Sequence, residues 1–137
     1  MLNDIEFVPV ESFNNKKINL DEGKKIVCLF IPGCDHCRAA AKELIAISKS
    51  QSLPPIYVIF MNEETFKIPE FFAEVKQSFP YHIIEDIPTF FNLLGKGANT
   101  PGIIYLWNGN IIRTYEGLEK NKFDANDLAK AISSNKF

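Results

Sequence analysis

Apolar positions recur along this chain with two periods, and the changes of period mark the elements. Lys25–Ile31 ("KIVCLFI") is a continuous apolar run, the form of a strand buried on both faces. From Asp35 to about Ser50 the spacing turns helical: Ala40, Leu44 and Ile47, with Ala41 and Ile45, recur at i, i+3 and i+4. Pro54–Pro55 end that helix, and Pro55–Met61 ("PIYVIFM") predicts a second buried strand. Ile68–Phe79 predicts a helix carrying Phe71, Phe72, Val75 and Phe79 on one face. "YHIIE" predicts a short strand and Ile87–Leu94 ("IPTFFNLL") a short helix. Gly102–Trp107 and Ile111–Glu116 read as strands joined through Asn108–Gly109, a dipeptide suited to a tight hairpin.

A closing helix is predicted over Ala125–Ser133, with Asp124 as N-cap, Asp127 at N3 and a Phe123/Leu128 staple. Upstream, Ile5–Val10 predicts a strand and Asn14–Lys25 a turn-rich approach. A βαβ half followed by a ββα half gives a mixed sheet covered on both faces, a three-layer α/β/α sandwich.

Length and composition narrow this picture. The 137 residues suit one domain spanning 1–137, with a core over 23–134 and residues 1–22 as an N-terminal extension or strand. Twelve Phe in a chain that is 46% hydrophobic argue for a filled interior. A net charge of -2 leaves no electrostatic footprint for nucleic acid or an anionic membrane. The longest apolar runs, about seven residues, fall far short of the roughly 20 that cross a bilayer. The opening "MLNDIEFVPV" lacks the basic and apolar regions of a signal peptide, which by itself reads as cytoplasmic. In a fragment of a longer chain, a targeting segment or membrane tether would lie elsewhere.

The chemistry concentrates in "FIPGCDHCR", Phe30–Arg38. Cys34 falls where a buried strand meets a helix, so unpaired N–H groups and the helix dipole favour its thiolate. Cys37 lies one turn on, on the same face, able to resolve a mixed disulfide formed by Cys34. Ligand and loop arithmetic bears on the other readings of the pair. A zinc clip needs a second pair of ligands, and outside the pair's own segment only Cys28 and His82 remain. C-type haem attachment needs His after the second Cys, where Arg38 stands. A purely structural bridge would close too small a loop to stabilise much. Metal handling through Cys34, His36 and Cys37 stays open as an alternative, as does a binding or accessory module dedicated to one partner.

These residues also carry a resemblance. "KIVCLFIPGCDHC" resembles the strand-to-helix active-site segment of thioredoxin-like proteins, and "TPGIIYLWNGNIIRTYEG" is similar to their cis-proline, strand, hairpin, strand pattern. The resemblance implies a thioredoxin-like three-layer sandwich with an extra helical insertion before the cis-proline strand, as in TlpA-like relatives. A second resemblance, to the thioredoxin-like domain of DoxX/MauE-type bacterial proteins, would place the domain outside the cytoplasmic membrane. The family implies a protein thiol–disulfide oxidoreductase, with protein thiols or disulfides and a redox-recharging protein as partners. It implies no cofactor and no resident metal. Cys34 and Cys37 would be catalytic with His36 beside them, while Thr100, Pro101 and Gly33 would border the substrate. The Thr100–Pro101 bond is expected to be cis, freeing the Thr100 backbone for a bound peptide strand. "DIPTF" at Asp86–Phe90 imitates the proline motif, but no strand–hairpin–strand follows it.

Three positions depart from the family pattern. His36 before the resolving Cys resembles the disulfide-isomerase and DsbA-like form and stabilises the reduced pair, while Asp35 opposes it. Their balance predicts a potential between about −250 and −150 mV. Gly33 stands where an aromatic is usual, which removes a bulky wall. Cys28 takes the place of a buried acid and reads as a small buried hydrophobe. His82 reads as a surface or satisfied histidine, the Phe clusters as core, and Arg38, Lys42 and Glu43 as a solvated helix face.

Overall fold

A computed structural model describes residues 6–7, 16–95, 99–117 and 122–134. In chain order its elements are β1 (Glu6–Phe7), β2 (Lys16–Lys17), β3 (Lys24–Phe30), α1 (Asp35–Ser48), β4 (Ile56–Met61), a 3₁₀ turn (Thr65–Lys67) leading into α2 (Ile68–Val75), β5 (Tyr81–Ile84), α3 (Ile87–Leu94), β6 (Gly102–Trp107), β7 (Asn110–Tyr115) and α4 (Ala125–Ser133). The main sheet has the order β5-β4-β3-β6-β7. β3, β4 and β5 run parallel, whereas β6 is antiparallel to β3 and β7 antiparallel to β6. β1 and β2 form a separate antiparallel pair. Of the strand expected over Ile5–Val10, only Glu6–Phe7 lies among the described residues.

Pleating sorts alternate residues of β3 to opposite faces. Ile26, Cys28 and Phe30 join a core with Leu44 of α1, Phe71 of α2 and Leu128 of α4. Val27 and Leu29 join the other, with Leu20 and with Phe90 of α3. Three helices therefore cover one face and α3 the second. The larger core is strongly aromatic: the Phe71 ring lies 5.5 Å from Phe30 and 5.3 Å, edge-on, from Phe60. Phe71→Ala should cost about 3–5 kcal/mol through the cavity it leaves.

Local signals set the boundaries. Asp124 caps α4 by accepting from the N–H groups of Asn126 at 3.0 Å and Asp127 at 3.1 Å. Asp86 caps α3 by accepting from Thr89 N at 3.1 Å, so "DIPTF" is a helix start. Asn108 and Gly109 both take left-handed φ values, 51° and 80°, as the β6–β7 turn requires. Asn108 Oδ1 also accepts from Gly23 N at 2.8 Å, tying the turn to the start of β3. α1 stops at Ser48, two residues before the expected end. α2 stops at Val75, where Lys76 turns left-handed (φ 63°), although Phe79 beyond it is still buried. Among the described residues no helix is long and apolar enough to cross a membrane.

Candidate active site

The site begins where β3 ends. Cys34 N donates to Ile31 O at 3.0 Å, closing a turn around Pro32 and Gly33. Cys34 has extended backbone and is the N-cap of α1, its sulfur accepting the N–H of Cys37 at 3.4 Å. It stands where a Ser or Asp oxygen ordinarily caps a helix, so its anionic form suits the position better than the thiol. The Cys34 pKa accordingly falls from 9.0 to about 6. The hydrogen bond from the Cys37 side chain contributes most; partial burial opposes it, and the Cys37 and His36 N–H groups and the Thr100 side chain add to it. Cys37 is fully buried, and burial, reinforced by the neighbouring Cys34 sulfur, pushes its thiol well up. The two sulfurs are thus differentiated into a partly exposed thiolate and a buried proton donor.

One flank of the pair is backbone. The Thr100–Pro101 peptide is cis, Pro101 is buried, and the Thr100 side chain makes a small contribution that favours the thiolate of each cysteine. Gly117 N donates to Asn99 O at 2.8 Å, and a Cβ at Gly117 would overlap the Thr100 carbonyl. Exposed His36 lines a cleft of about 280 Å³ with Pro101, Glu43, Glu116, Lys122 and Phe123. The structure therefore brings Cys34, Cys37, His36, Thr100 and Pro101 together. Gly33 lies on the opposite flank, where a Cβ would collide with the Glu64 carboxylate. The space left by the missing side chain is filled from the α2 segment, and Glu64 pairs there with Lys67 at 2.7 Å.

Arg38 corrects the sequence reading. Instead of joining a solvated face it is 5% exposed, with its guanidinium carbon 5.6 Å from the centre of the Phe71 ring. Its Nη1 donates to Glu70 at 2.9 Å and Glu74 at 2.8 Å, and its Nη2 donates to the Pro32 carbonyl at 3.0 Å. Lys42 and Glu43 are exposed as expected. No local pattern foretold the Arg38 network, because its carboxylates lie 32 and 36 residues away. The effect of the Thr100 side chain on the cysteines was also missed: the resemblance assigns Thr100 a backbone role.

Cys28 is fully buried in β3, and burial alone pushes its thiol well up, so it behaves as a small hydrophobe. His82 is half-buried on β5, beside a second cleft with Asp86 and Leu93. Among the described residues no group of three or more His, Cys, Asp or Glu side chains is placed to hold a metal ion.

The sheet order, the cysteine pair at the head of α1 and the opposed cis-proline define a thioredoxin-like fold. It is 50% identical over 115 residues to protein TlpB of Flavobacterium psychrophilum, a match covering 83% of this chain and 31% of that protein. The chain thus spans about a third of its relative's length. No family model matches it. Among solved structures it superposes on a secreted Mycobacterium tuberculosis disulfide oxidoreductase homologous to E. coli DsbE, with TM-score 0.68, 11% identity and 95% of each chain covered. The M. tuberculosis DsbF structure gives 0.70 at 10% identity, covering 96% of this chain and 94% of that one. The thioredoxin domain of a Bacteroides vulgatus thiol–disulfide oxidoreductase gives 0.69 at 16% identity, covering 94% and 93%.

Proposed function

We propose that this chain is a single thioredoxin-like domain that exchanges disulfides with protein substrates, Cys34 attacking and Cys37 resolving. The observation that carries this reading is the Cys34 sulfur capping α1, where it accepts the Cys37 N–H at 3.4 Å. In the reducing direction, Cys34 thiolate attacks one sulfur of a substrate disulfide. A Cys34–substrate bond forms, the substrate S–S bond breaks, and the departing sulfur takes a proton. Cys37 then gives up its proton and attacks Cys34, forming the Cys34–Cys37 bond and releasing the second substrate thiol. Two electrons pass from the pair to the substrate. The reverse sequence oxidises a substrate dithiol, and the direction in the cell follows from the partner that recharges the pair.

The Thr100 backbone and Pro101 are suited to lie along the substrate strand, with His36 bordering it. Cys28 stays protonated at neutral pH and is not a base for Cys37. The test is reduction of insulin disulfides by dithiothreitol with catalytic amounts of protein, together with a redox titration. Wild type should accelerate turnover, Cys34→Ser should abolish it, and the potential should lie between about −250 and −150 mV. A wild-type protein with no turnover that holds one partner in a stable complex would favour an accessory module instead.

A further inference from the structure

Arg38 immediately follows the resolving cysteine, yet none of its hydrogen bonds goes to a sulfur. Its fork divides between the Pro32 carbonyl, inside the turn that ends at Cys34, and two carboxylates of α2. We propose that Arg38, fastened by Glu70 and Glu74, is a positioning residue that holds the Cys34 turn so that its sulfur caps α1. This inference rests on the exchange reading for its consequence in turnover, though not for its geometry.

Three observations support it. First, an apolar side chain would pack against Phe71 equally well and would avoid burying a charge, while Arg38 leaves its Nε buried and without a hydrogen-bond partner. What only a guanidinium supplies is a planar fork that binds a carbonyl and carboxylates at once. Second, Pro32 and Gly33 contribute no side-chain hydrogen bond, so the turn needs an outside grip besides the Cys34 N–Ile31 O bond. Third, the anchors are unequal in burial: the Arg38 side chain is 6% exposed, whereas Glu70 and Glu74 are 65% and 41% exposed. The carboxylates keep their solvation while they compensate the buried cation. The α2 carboxylates thereby reach the turn that carries Cys34 through one side chain, and Glu64 closes over Gly33 from just ahead of α2.

The test uses the full, reduced chain and follows iodoacetamide alkylation of Cys34 against pH by mass spectrometry, alongside thermal melting. Arg38→Met should raise the pH midpoint of alkylation by about one unit and so slow the reaction at acidic pH roughly tenfold, the fall in thiolate fraction that one unit brings. Arg38→Lys restores the charge without the fork and should fall between Arg38→Met and wild type. Glu70→Gln with Glu74→Gln loosens the anchor and should slow alkylation about threefold, the scale of partly exposed ion pairs. A merely structural Arg38 would lower the melting temperature and leave the midpoint in place, and that result overturns the proposal. If Arg38→Met does not fold, unmoved midpoints in both Arg38→Lys and the double Gln variant overturn it equally. Loss of insulin reduction by wild type would instead overturn the exchange reading, with the alkylation comparison still valid.

Discussion

On one side of Cys34 stand Thr100 and the buried Pro101, fixed through backbone contacts to Gly117; on the other stands a cluster of charges, Arg38 with Glu70 and Glu74, and Glu64 with Lys67. The first wall is built from uncharged residues close to one another through backbone contacts, a surface suited to lie against another backbone. The second is assembled from long side chains across two helices, and it grips the turn rather than offering a docking edge. The pair sits between a wall that receives and a wall that holds. The two walls should therefore fail differently: damage to the first should cost stability and access, damage to the second should cost reactivity.

The two walls bear on reactivity only if the pair between them is the reactive group, and the largest expected effect tests that. Cys37→Ala should abolish turnover and accumulate a Cys34 mixed disulfide, detectable by mass spectrometry. It also removes the largest contribution holding the Cys34 pKa near 6, so the alkylation midpoint should move up. Next comes the backbone wall. Gly117→Ala drives a Cβ into the Thr100 carbonyl and should cost about 1–3 kcal/mol, read as a lower melting temperature with impaired insulin reduction. Normal stability and turnover in that variant would show that the wall yields easily.

How much of each wall could be read beforehand follows from the range of its interactions. Asn108–Gly109, Asp124 and the apolar runs of β3, β4 and β6 are local signals, and the elements formed where they pointed. The cis Thr100–Pro101 bond and the Cys34 cap came with the resemblance and the strand-to-helix junction. Arg38 lay beyond such reasoning, since i, i+4 neighbours describe only one helix and its partners belong to another. Gly33 looked like an opening because sequence records the missing side chain and not the Glu64 carboxylate that occupies its space.

A smaller effect concerns pH. Folding lowers the Cys34 pKa from 9.0 to about 6, so between these values the unfolded chain binds more protons than the folded one. Reduced protein should gain stability as pH rises from about 6 to 9 and lose that contribution as pH falls through about 6. Cys28 and Cys37 act in the opposite sense: their thiols are pushed above 9.0, so their contribution is present below that value and declines at higher pH. Thr100→Val removes a hydroxyl that assists the Cys34 thiolate and should flatten the rise between 6 and 9, measured by urea unfolding under reducing conditions. An unchanged slope would return Thr100 to a purely backbone role.

The smallest expected effect separates two ways the charged wall could work. Lys42 Nζ lies 2.9 Å from Glu74 Oε2, while Arg38 holds the other oxygen of the same carboxylate at 2.8 Å. Lys42 is 52% exposed and pairs with Glu74 at the surface, so water and salt screen its pairing. If the wall acts through the Arg38 fork, Lys42→Ala should leave the melting temperature and the Cys34 alkylation midpoint at wild-type values, with and without added salt. If it acts as a general field of positive charge beside the sulfur, Lys42→Ala and high salt should each move the midpoint in the direction of Arg38→Met. A midpoint that moves with Lys42 would make the wall's charge count, rather than its geometry, the property that governs Cys34.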